Sequence, residues 1–453
     1  MALVAGAVLG SAFWYLWRRL VRDVSRPGTR YRRYGGWVLG ALTLTTLLAA
    51  GGGRLGLPFS AHQVVAVPGF YWMAALLYLL LGLLAAELPR WLLLRRLRRR
   101  AAAAPERADE EAAAAAAAEP EPAPEPAPVP AGVAAAEAAA GPADGPARGG
   151  AAPAVPPAEP PADAPSATPA GAGEPADSEL SRRLLVTRSI GVGVGLLAAG
   201  TVGYGSYNFR RLRVRRVTVP LAKLPRGGHG YRIAVVSDIH LGPVLGASHC
   251  RRVVNTINEV QPDLITVVGD LVDAEVDDLR SAVAPLAELR ARDGAYFVTG
   301  NHEYYVETAP WVDHIRELGV TPLVNERREL PFFDLAGVND VDGEGTEFGG
   351  PDYRAALGDR DLARASVLMA HQPVMIHEAV DHGVDLQLSG HTHGGQMWPI
   401  TYLADLANPT LAGLERYGDT QLYVSRGAGA YGPPVRLGAD PDITVVELAS
   451  GQA

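Results

Sequence analysis

The sequence predicts an α/β domain with a parallel sheet, preceded by membrane-spanning helices and a disordered linker. Short apolar runs alternate with helical patterns in the last half of the chain, which is typical of βαβ units. Long apolar runs fill the first hundred residues, and a segment rich in Ala, Pro and Glu separates the two parts. The 453 residues are therefore divided into four regions: 1–100, 101–180, 181–216 and 217–453.

The region 1–100 is predicted to contain three transmembrane helices. Its apolar runs are Ala2–Trp17, Trp37–Gly53 and Phe70–Leu94, and tryptophans lie near their ends, as expected at a membrane interface. Arginines cluster after the first run and after the third. If the second and third runs form a hairpin, both clusters lie on one side of the membrane, and the positive-inside rule makes that side cytoplasmic.

The region 101–180 is predicted to be a disordered linker. It contains almost no bulky apolar side chains, so folding could not bury enough surface to offset the loss of chain entropy. The Pro-rich stretch from 119 to 130 is expected to be extended.

The region 181–216 is predicted to supply a fourth transmembrane helix. It begins with Ser181-Arg182-Arg183-Leu184-Leu185, which is similar to a twin-arginine export signal, and continues into the apolar run Ile190–Tyr207. If this run crosses the membrane, the C-terminal domain is extracytoplasmic; if it lies on the membrane surface, the domain is cytoplasmic. We favour a multi-pass protein of the cell membrane with an extracytoplasmic domain. The five arginines between 210 and 216 would then lie outside, against the positive-inside rule.

The region 217–453 is predicted to fold as one α/β domain. Strands are predicted over 231–237, 263–268, 295–299, 366–370, 385–389, 421–425 and 443–448, and helices over 248–260, 277–292 and 375–381. This region holds 17 basic and 33 acidic residues, which suits cation binding and argues against a nucleic acid partner. Cys250 is the only cysteine and is expected to be a small buried apolar residue.

Four strings place polar side chains where predicted strands end. They are Asp238-Ile239-His240, Gly269-Asp270-Leu271-Val272-Asp273, Gly300-Asn301-His302-Glu303 and Gly390-His391-Thr392-His393. Because ligands gather beyond the carboxyl ends of strands in open α/β sheets, we expect five strands of one sheet to bring these groups, with His371, to one edge. The glycines before Asp270, Asn301 and His391 are expected to turn the backbone sharply. Carboxylate, amide and imidazole groups of this number could hold two divalent metal ions, with Mn, Fe or Zn favoured over Cu.

In these strings the sequence resembles the calcineurin-like metallophosphoesterases, over about Arg232–Leu448. The segments His391-Thr392-His393-Gly394-Gly395-Gln396 and Tyr423-Val424-Ser425-Arg426-Gly427 resemble a bacterial membrane-associated branch, similar to UDP-2,3-diacylglucosamine pyrophosphatase-like phosphodiesterases. The resemblance implies a four-layer α/β/β/α sandwich, in which helices flank two sheets.

The resemblance also implies a role for each site residue. Asp238, His240 and His393 would hold one metal, Asn301, His371 and His391 would hold the second, Asp270 would bridge both, and His302 would protonate the leaving oxygen. His377 is the alternative to His371. Asp273 is expected to accept a hydrogen bond rather than to bind metal. Arg426 is a candidate contact to the substrate phosphate, with a structural surface arginine as the equal alternative.

These features predict a membrane-anchored, dinuclear metal-dependent phosphohydrolase that is a phosphodiesterase, pyrophosphatase or phosphomonoesterase. A hydroxide bridging two metals would attack phosphorus in line. Attachment to the lipid bilayer favours a lipid-linked or envelope phosphoester as substrate. The alternative is a non-catalytic, metal-stabilised sensor or scaffold tethered to the membrane. An intact His302 argues against this alternative, because a scaffold needs metals but no proton donor.

Overall fold

The computed structural model describes residues 10–117 and 175–451. Residues 10–16 are α-helical and continue into a π-helical stretch, Trp17–Arg22. The α-helices that follow are α1 (Arg30–Gly51), α2 (Phe59–Ala117), α3 (Pro175–Phe209), α4 (Ala247–Glu259), α5 (Val276–Val283), α6 (Asn301–Tyr305), α7 (Thr308–Glu317), α8 (Tyr353–Leu357), α9 (Ile376–Asp381) and α10 (Ile400–Ala407). The strands are β1 (Arg213–Leu221), β2 (Tyr231–Val236), β3 (Leu264–Val268), β4 (Ala295–Val298), β5 (Thr321–Pro322), β6 (Glu326–Glu329), β7 (Phe333–Gly337), β8 (Ala365–Met369), β9 (Leu386–Ser389), β10 (Gly413–Tyr417), β11 (Thr420–Val424) and β12 (Asp442–Ser450).

The strands form two six-stranded sheets, in the orders β1-β12-β2-β3-β4-β5 and β10-β11-β9-β8-β7-β6. The expectation that five ligand-bearing strands belong to one sheet is therefore wrong. Strands β2, β3 and β4 are parallel neighbours in the first sheet, and β8 and β9 are parallel neighbours in the second. The last strand, β12, is antiparallel to β2 and separates it from β1, so the domain closes only when its C-terminal segment is in place.

Side chains alternate between the two faces of each sheet and thereby build three apolar layers. In β2, Ile233 and Val235 face the second sheet, and Ala234 and Val236 face the helices. Helices α4, α5 and α7 cover the outer face of the first sheet, and α8 and α9 cover that of the second. The predicted four-layer α/β/β/α sandwich is confirmed. Cys250 is buried among the apolar residues under α4, as expected.

Three helical segments are long and apolar enough to cross a membrane: Arg30–Gly51, Phe59–Arg99 and Ser181–Phe209. They contain the third and fourth of the predicted runs and all of the second except Gly52 and Gly53. The first run, Ala2–Trp17, begins outside the described residues, and its described part is helical.

The predicted linker, 101–180, lies largely outside the described residues. Its first 17 residues, 101–117, continue α2, because their alanines favour a helix. The chain divides into two compact units, of which one is Pro89–Val186 and contains the ends of α2 and α3. The other comprises Met1–Leu88 and Thr187–Ala453, so it includes α1, most of the apolar parts of α2 and α3, and the sandwich.

Candidate metal centre

The site residues lie where strands end, and several of them have left-handed backbone conformations. Asp238 and His240 follow β2 with φ of 53° and 50°, and Asp270 follows β3 with φ of 51°. His391 and His393 follow β9 with φ of 71° and 53°. Residues other than glycine seldom adopt such values, and the strain they carry tends to cluster at functional sites.

The glycines beside these residues serve two different purposes. Gly269 has a φ of 75° and makes the expected sharp turn. Gly300 and Gly390 have no positive φ, so the expectation that they turn the backbone sharply is wrong for these two glycines. A Cβ on Gly390 would collide with Ser237 and the carboxylate of Asp238, and one on Gly300 would collide with Asp270. Glycine is needed there because neighbouring strand ends approach closely.

The first group of converging side chains is Asp238, His240 and His393, all of them buried. The Nε2 atoms of His240 and His393 are 2.9 Å apart, and His393 Nε2 lies 3.4 Å from Asp238 Oδ1. These are three of the residues that the resemblance assigns to one metal.

The second group is Asp270, His371 and His391, with Asn301 beside it. His371 Nε2 lies 3.2 Å from Asp270 Oδ2, and His391 Nδ1 lies 3.0 Å from Asn301 Oδ1. Asp270 Oδ2 is also 3.7 Å from His240 Nε2, so this carboxylate stands between the two groups. The alternative ligand, His377, is on α9 with its ring near Tyr417, and it belongs to neither group.

Imidazole nitrogens converge in both groups, and this arrangement fits bound cations. His240 donates from Nδ1 to Asp273, and His371 donates from Nδ1 to the carbonyl of Val268. Their Nε2 atoms therefore carry lone pairs in the neutral ring, and His371 Nε2 is buried 3.2 Å from the carboxylate of Asp270. Burial alone would lower the pKa of His371, but the charge of Asp270 raises it, so a bound cation would have to displace the proton on Nε2. Burial and the neighbouring His371 lower the pKa of His391 to about 4, which keeps this imidazole in its ligand form. The mixed nitrogen and oxygen set fits Mn, Fe or Zn.

Asp273 links the first group to His302. Its Oδ1 accepts hydrogen bonds from Nδ1 of His240 at 2.8 Å and from Nδ1 of His302 at 2.7 Å. His302 Nε2 then points inward and lies 4.0 Å from Asp270 Oδ2. Burial alone would lower the pKa of His302, but the hydrogen bond to Asp273 and the nearby Asp270 raise it to about 9. In the absence of bound cations, a protonated His302 can thus donate from Nε2 toward the centre.

Two buried charged residues that hold the site together are not identified by the sequence analysis. Glu303 accepts backbone N–H groups from Gly300 at 2.6 Å and Leu271 at 2.8 Å, and so joins the ends of β3 and β4. Arg436 donates to the carbonyl of His393 at 2.7 Å and is fully buried. Glu303 could have been found, because it ends one of the four strings; Arg436 belongs to no motif.

Arg426 is not placed at the substrate side of the centre. Its guanidinium lies 3.5 Å from the buried carboxylate of Asp442 at the start of β12. It is absent from the described residues that line the cavity beside the metal-site groups. The geometry thus favours the structural alternative, and phosphate binding by Arg426 stays a prediction.

A cavity of about 710 Å³ opens beside the two groups, and the hairpin of the candidate membrane helices α1 and α2 forms part of its wall. His240, Asp273 and His302 line it from the sandwich. The connection between α1 and α2 and the adjoining helix ends line it as well, including Arg54, Leu57 and Phe59. The Arg54 guanidinium lies 5.9 Å from the ring of Tyr305, which itself contacts His302. No sequence motif indicated that the hairpin reaches this site.

A sandwich that carries carboxylates and imidazoles at the strand ends of both sheets defines a metal-dependent hydrolase. The family model for calcineurin-like phosphoesterases matches residues 231–395. A metallophosphoesterase of Helicobacter pylori is 34% identical over 278 residues, which are 61% of this chain and 74% of that protein. The chain therefore belongs to the calcineurin-like phosphoesterases, which are hydrolases acting on phosphoester bonds.

Relatives with membrane segments are also similar to this chain. A Danio rerio protein named "Transmembrane protein with metallophosphoesterase domain" is 39% identical over 249 residues, 52% of this chain and 57% of its own length. The chain thus spans little more than half of that relative. A solved dimetal phosphatase of Danio rerio is 14% identical with a TM-score of 0.32, and the match covers 44% of this chain and 88% of that one.

Proposed function

We propose that this protein is a membrane-anchored phosphohydrolase with a dinuclear metal centre that cleaves a lipid-linked phosphoester. One observation carries the proposal: Asp270, a member of one ligand triad, lies 3.7 Å from His240 of the other triad, beside a cavity that the hairpin of α1 and α2 also lines. Two divalent ions bound to these triads would activate water as nucleophile and neutralise charge on the phosphoryl oxygens. The pair of triads supports two ions rather than one.

The chain's own residues would divide the remaining work. Asp273 holds the imidazoles of His240 and His302 in fixed orientations through one oxygen atom. His302 would give its Nε2 proton to the leaving oxygen of the substrate. Glu303 and Arg436 hold the loops that carry Asp270 and His393. A scaffold would require the metal ligands but not this second imidazole, so the arrangement favours an enzyme.

The substrate class is inferred from the composition of the cavity wall. The sandwich contributes His240, Asp273 and His302 as well as the apolar Val244 and Leu245, and the hairpin contributes Leu57, Phe59 and Phe70 as well as Arg54 and His62. A phosphoester with an apolar chain matches this mixed lining, because its phosphate would face the cations and its chain would contact the apolar residues. A phosphodiester, a pyrophosphate and a phosphomonoester all fit this description.

We further propose that the catalytic domain is extracytoplasmic and that α3 crosses the membrane. The start of this crossing is marked by Thr187, which donates to the carbonyl of Asp23 beside the first arginine cluster. Its other end is marked by Ser206, which is hydrogen-bonded to Tyr71 next to the domain. The sequence separation of 19 between Thr187 and Ser206 corresponds to a helix length of about 29 Å, close to the thickness of the hydrocarbon core. The positive-inside rule then puts the arginine cluster in the cytoplasm.

Two of the five arginines after α3 are paired with carboxylates of the domain. Arg213 lies 3.1 Å from Asp440, and Arg215 lies 2.9 Å from Asp442. Because the positive-inside rule counts Lys and Arg and gives little weight to Asp and Glu, these arginines still oppose the proposed topology, which rests on the first arginine cluster and on the length of the crossing.

The full-length protein, purified and reconstituted with Mn²⁺ or Zn²⁺, should be assayed on a chromogenic phosphodiester and on lipid phosphoesters in vesicles. We expect hydrolysis of both, a preference for the lipid, and loss of both activities in Asp270→Ala. The matched control is Asp277→Ala, because the side chain of Asp277 is 95% exposed on α5. Stoichiometric metal binding without hydrolysis of any phosphoester would contradict the enzyme and favour the scaffold.

A further inference from the structure

Helix α10 exposes an apolar surface that the sandwich does not cover. None of its residues is buried, and the exposed fractions are 65% for Tyr402, 67% for Leu403 and 85% for Leu406. Trp398, just before the helix, is 49% exposed. A contiguous apolar patch of this kind on a folded domain usually marks an interaction surface.

The exposed side chains share one face of α10. At 100° per residue, roughly, Tyr402, Leu403 and Leu406 fall within an arc of about 100°. The opposite face is held against the domain, because the backbone of Thr401 packs against Gly395 in the turn that follows His393. Asp405 lies at the edge of the apolar face, about 100° from Leu406.

The contacts of α2 show at which level this surface lies. Tyr71 is hydrogen-bonded to Ser206, near the end of the apolar part of α3. Tyr78 donates to the carbonyl of Trp398 at 3.0 Å. Tyr78 is seven residues after Tyr71 in α2, which corresponds to about 10 Å along the helix axis. Trp398 therefore lies about 10 Å from the level of Ser206, in the direction in which α2 enters the candidate span.

The surface is also continuous with the helix bundle. Met397, which precedes Trp398, is buried in the same apolar cluster as Ala74, Tyr78 and Val194 of α2 and α3. The segment that leads into α10 is thus packed against α2 and α3. We therefore expect α10 to be in the same environment, lipid or water, as the outer surfaces of α2 and α3 at this level.

We infer that α10 is an interfacial helix whose Tyr402, Leu403 and Leu406 are embedded in the lipid bilayer beside the metal centre. The inference rests on the proposed crossing of the membrane by α2 and α3. The inference concerns the metal centre as well as membrane attachment, because α10 follows the His393 segment of that centre in the chain. Gln396, between His393 and α10, donates to the carbonyl of Tyr431, a residue of the cavity wall. An embedded α10 would hold the cavity at the membrane surface, where an amphiphilic phosphoester is concentrated.

The test uses the full-length protein in vesicles of phosphatidylcholine and phosphatidylglycerol. A polarity-sensitive fluorophore is attached to Leu406→Cys and, separately, to Leu403→Cys; the native Cys250 is buried and would not react. The control is Leu362→Cys, at another exposed leucine, 66% exposed. We expect blue-shifted emission at 403 and 406, and several-fold stronger quenching by lipids spin-labelled in their acyl chains than at 362.

Quenching at 403 and 406 that does not exceed the control would overturn the inference. A blue-shifted label that the spin-labelled lipids do not quench would also overturn it, because protein, such as a second copy of the chain, would then cover α10. The readout needs no catalysis. Failure of the proposed enzymatic activity would consequently be seen separately, in the hydrolysis assay.

Discussion

At the scale of single residues, Asp273 determines how two histidines are used. One oxygen atom accepts from both His240 and His302, so each ring presents Nε2 to the centre. The two rings nevertheless differ in their surroundings: His240 Nε2 lies 2.9 Å from another imidazole nitrogen, whereas His302 Nε2 lies 4.0 Å from the carboxylate of Asp270. The same contact therefore prepares one ring to bind a cation and the other to transfer a proton.

Replacing His302 should separate chemistry from metal binding. We expect His302→Ala to retain both metals and to lower kcat by about 10²–10⁴, the usual contribution of a general acid. Metal content by elemental analysis and steady-state kinetics are the measurements. His377→Ala is the matched control, since this exposed histidine on α9 lies outside both groups. Loss of metal together with activity would assign His302 to the ligand set instead.

Replacing Asp273 should weaken both functions at once. In Asp273→Asn the amide can no longer accept two charge-assisted hydrogen bonds, so the imidazoles of His240 and His302 lose their fixed orientation. We expect losses of about 10–100-fold in metal affinity and in kcat, the range typical of replacing a partner of a metal-bound histidine. Metal titration and kinetics test this, with Asp277→Asn as control. Unchanged values for both would show that the pair of hydrogen bonds has no role in orienting the rings.

At the scale of elements, the strand ends explain what the sequence could predict. The strands before Asp238, Asp270 and Asn301 could be predicted because an apolar run followed by a polar string is a local pattern. The division into two sheets could not be predicted from these patterns, because β2–β3 and β8–β9 are both parallel pairs and such pairs look alike in the sequence. Only the resemblance supplied the second sheet. The close approach at Gly390 depends on Ser237, which is more than 150 residues distant, so no local pattern could indicate it.

The connection between α1 and α2 brings an element from outside the sandwich to the site. Arg54 is the cationic side chain in this connection, and it lies over the ring of Tyr305. We expect Arg54→Gln to lower kcat/KM for an anionic lipid phosphoester about fivefold, mainly through KM, because an exposed charge contact is weak. Arg54→Lys should retain most of the wild-type kcat/KM, and Arg290→Gln, on a different surface, is the control. A kcat/KM in Arg54→Gln equal to that of Arg290→Gln would exclude a contact between Arg54 and the substrate.

At the scale of the whole molecule, the main prediction concerns the side of the membrane. A reporter that is active only outside the cytoplasm, fused after Ala453, should be active, because in the proposed topology α3 carries the chain across between Thr187 and Ser206. A second fusion, to a reporter that is active only in the cytoplasm, should remain inactive and serves as the control. The reverse pair of results would place the domain in the cytoplasm and reject the crossing by α3.

Because the sandwich and the hairpin line one cavity, a sandwich without the helices would lack part of the proposed substrate site. A fragment beginning at Arg213, the first residue of β1, would keep both triads, Asp273 and His302, but it would lose the hairpin residues of the cavity and uncover Met397 and Val435. Assays on such a fragment would measure the intrinsic reactivity of the centre toward any accessible phosphoester. Selection among substrates would be measurable only with the helices attached, so a broad activity of the fragment should not be read as the specificity of the protein.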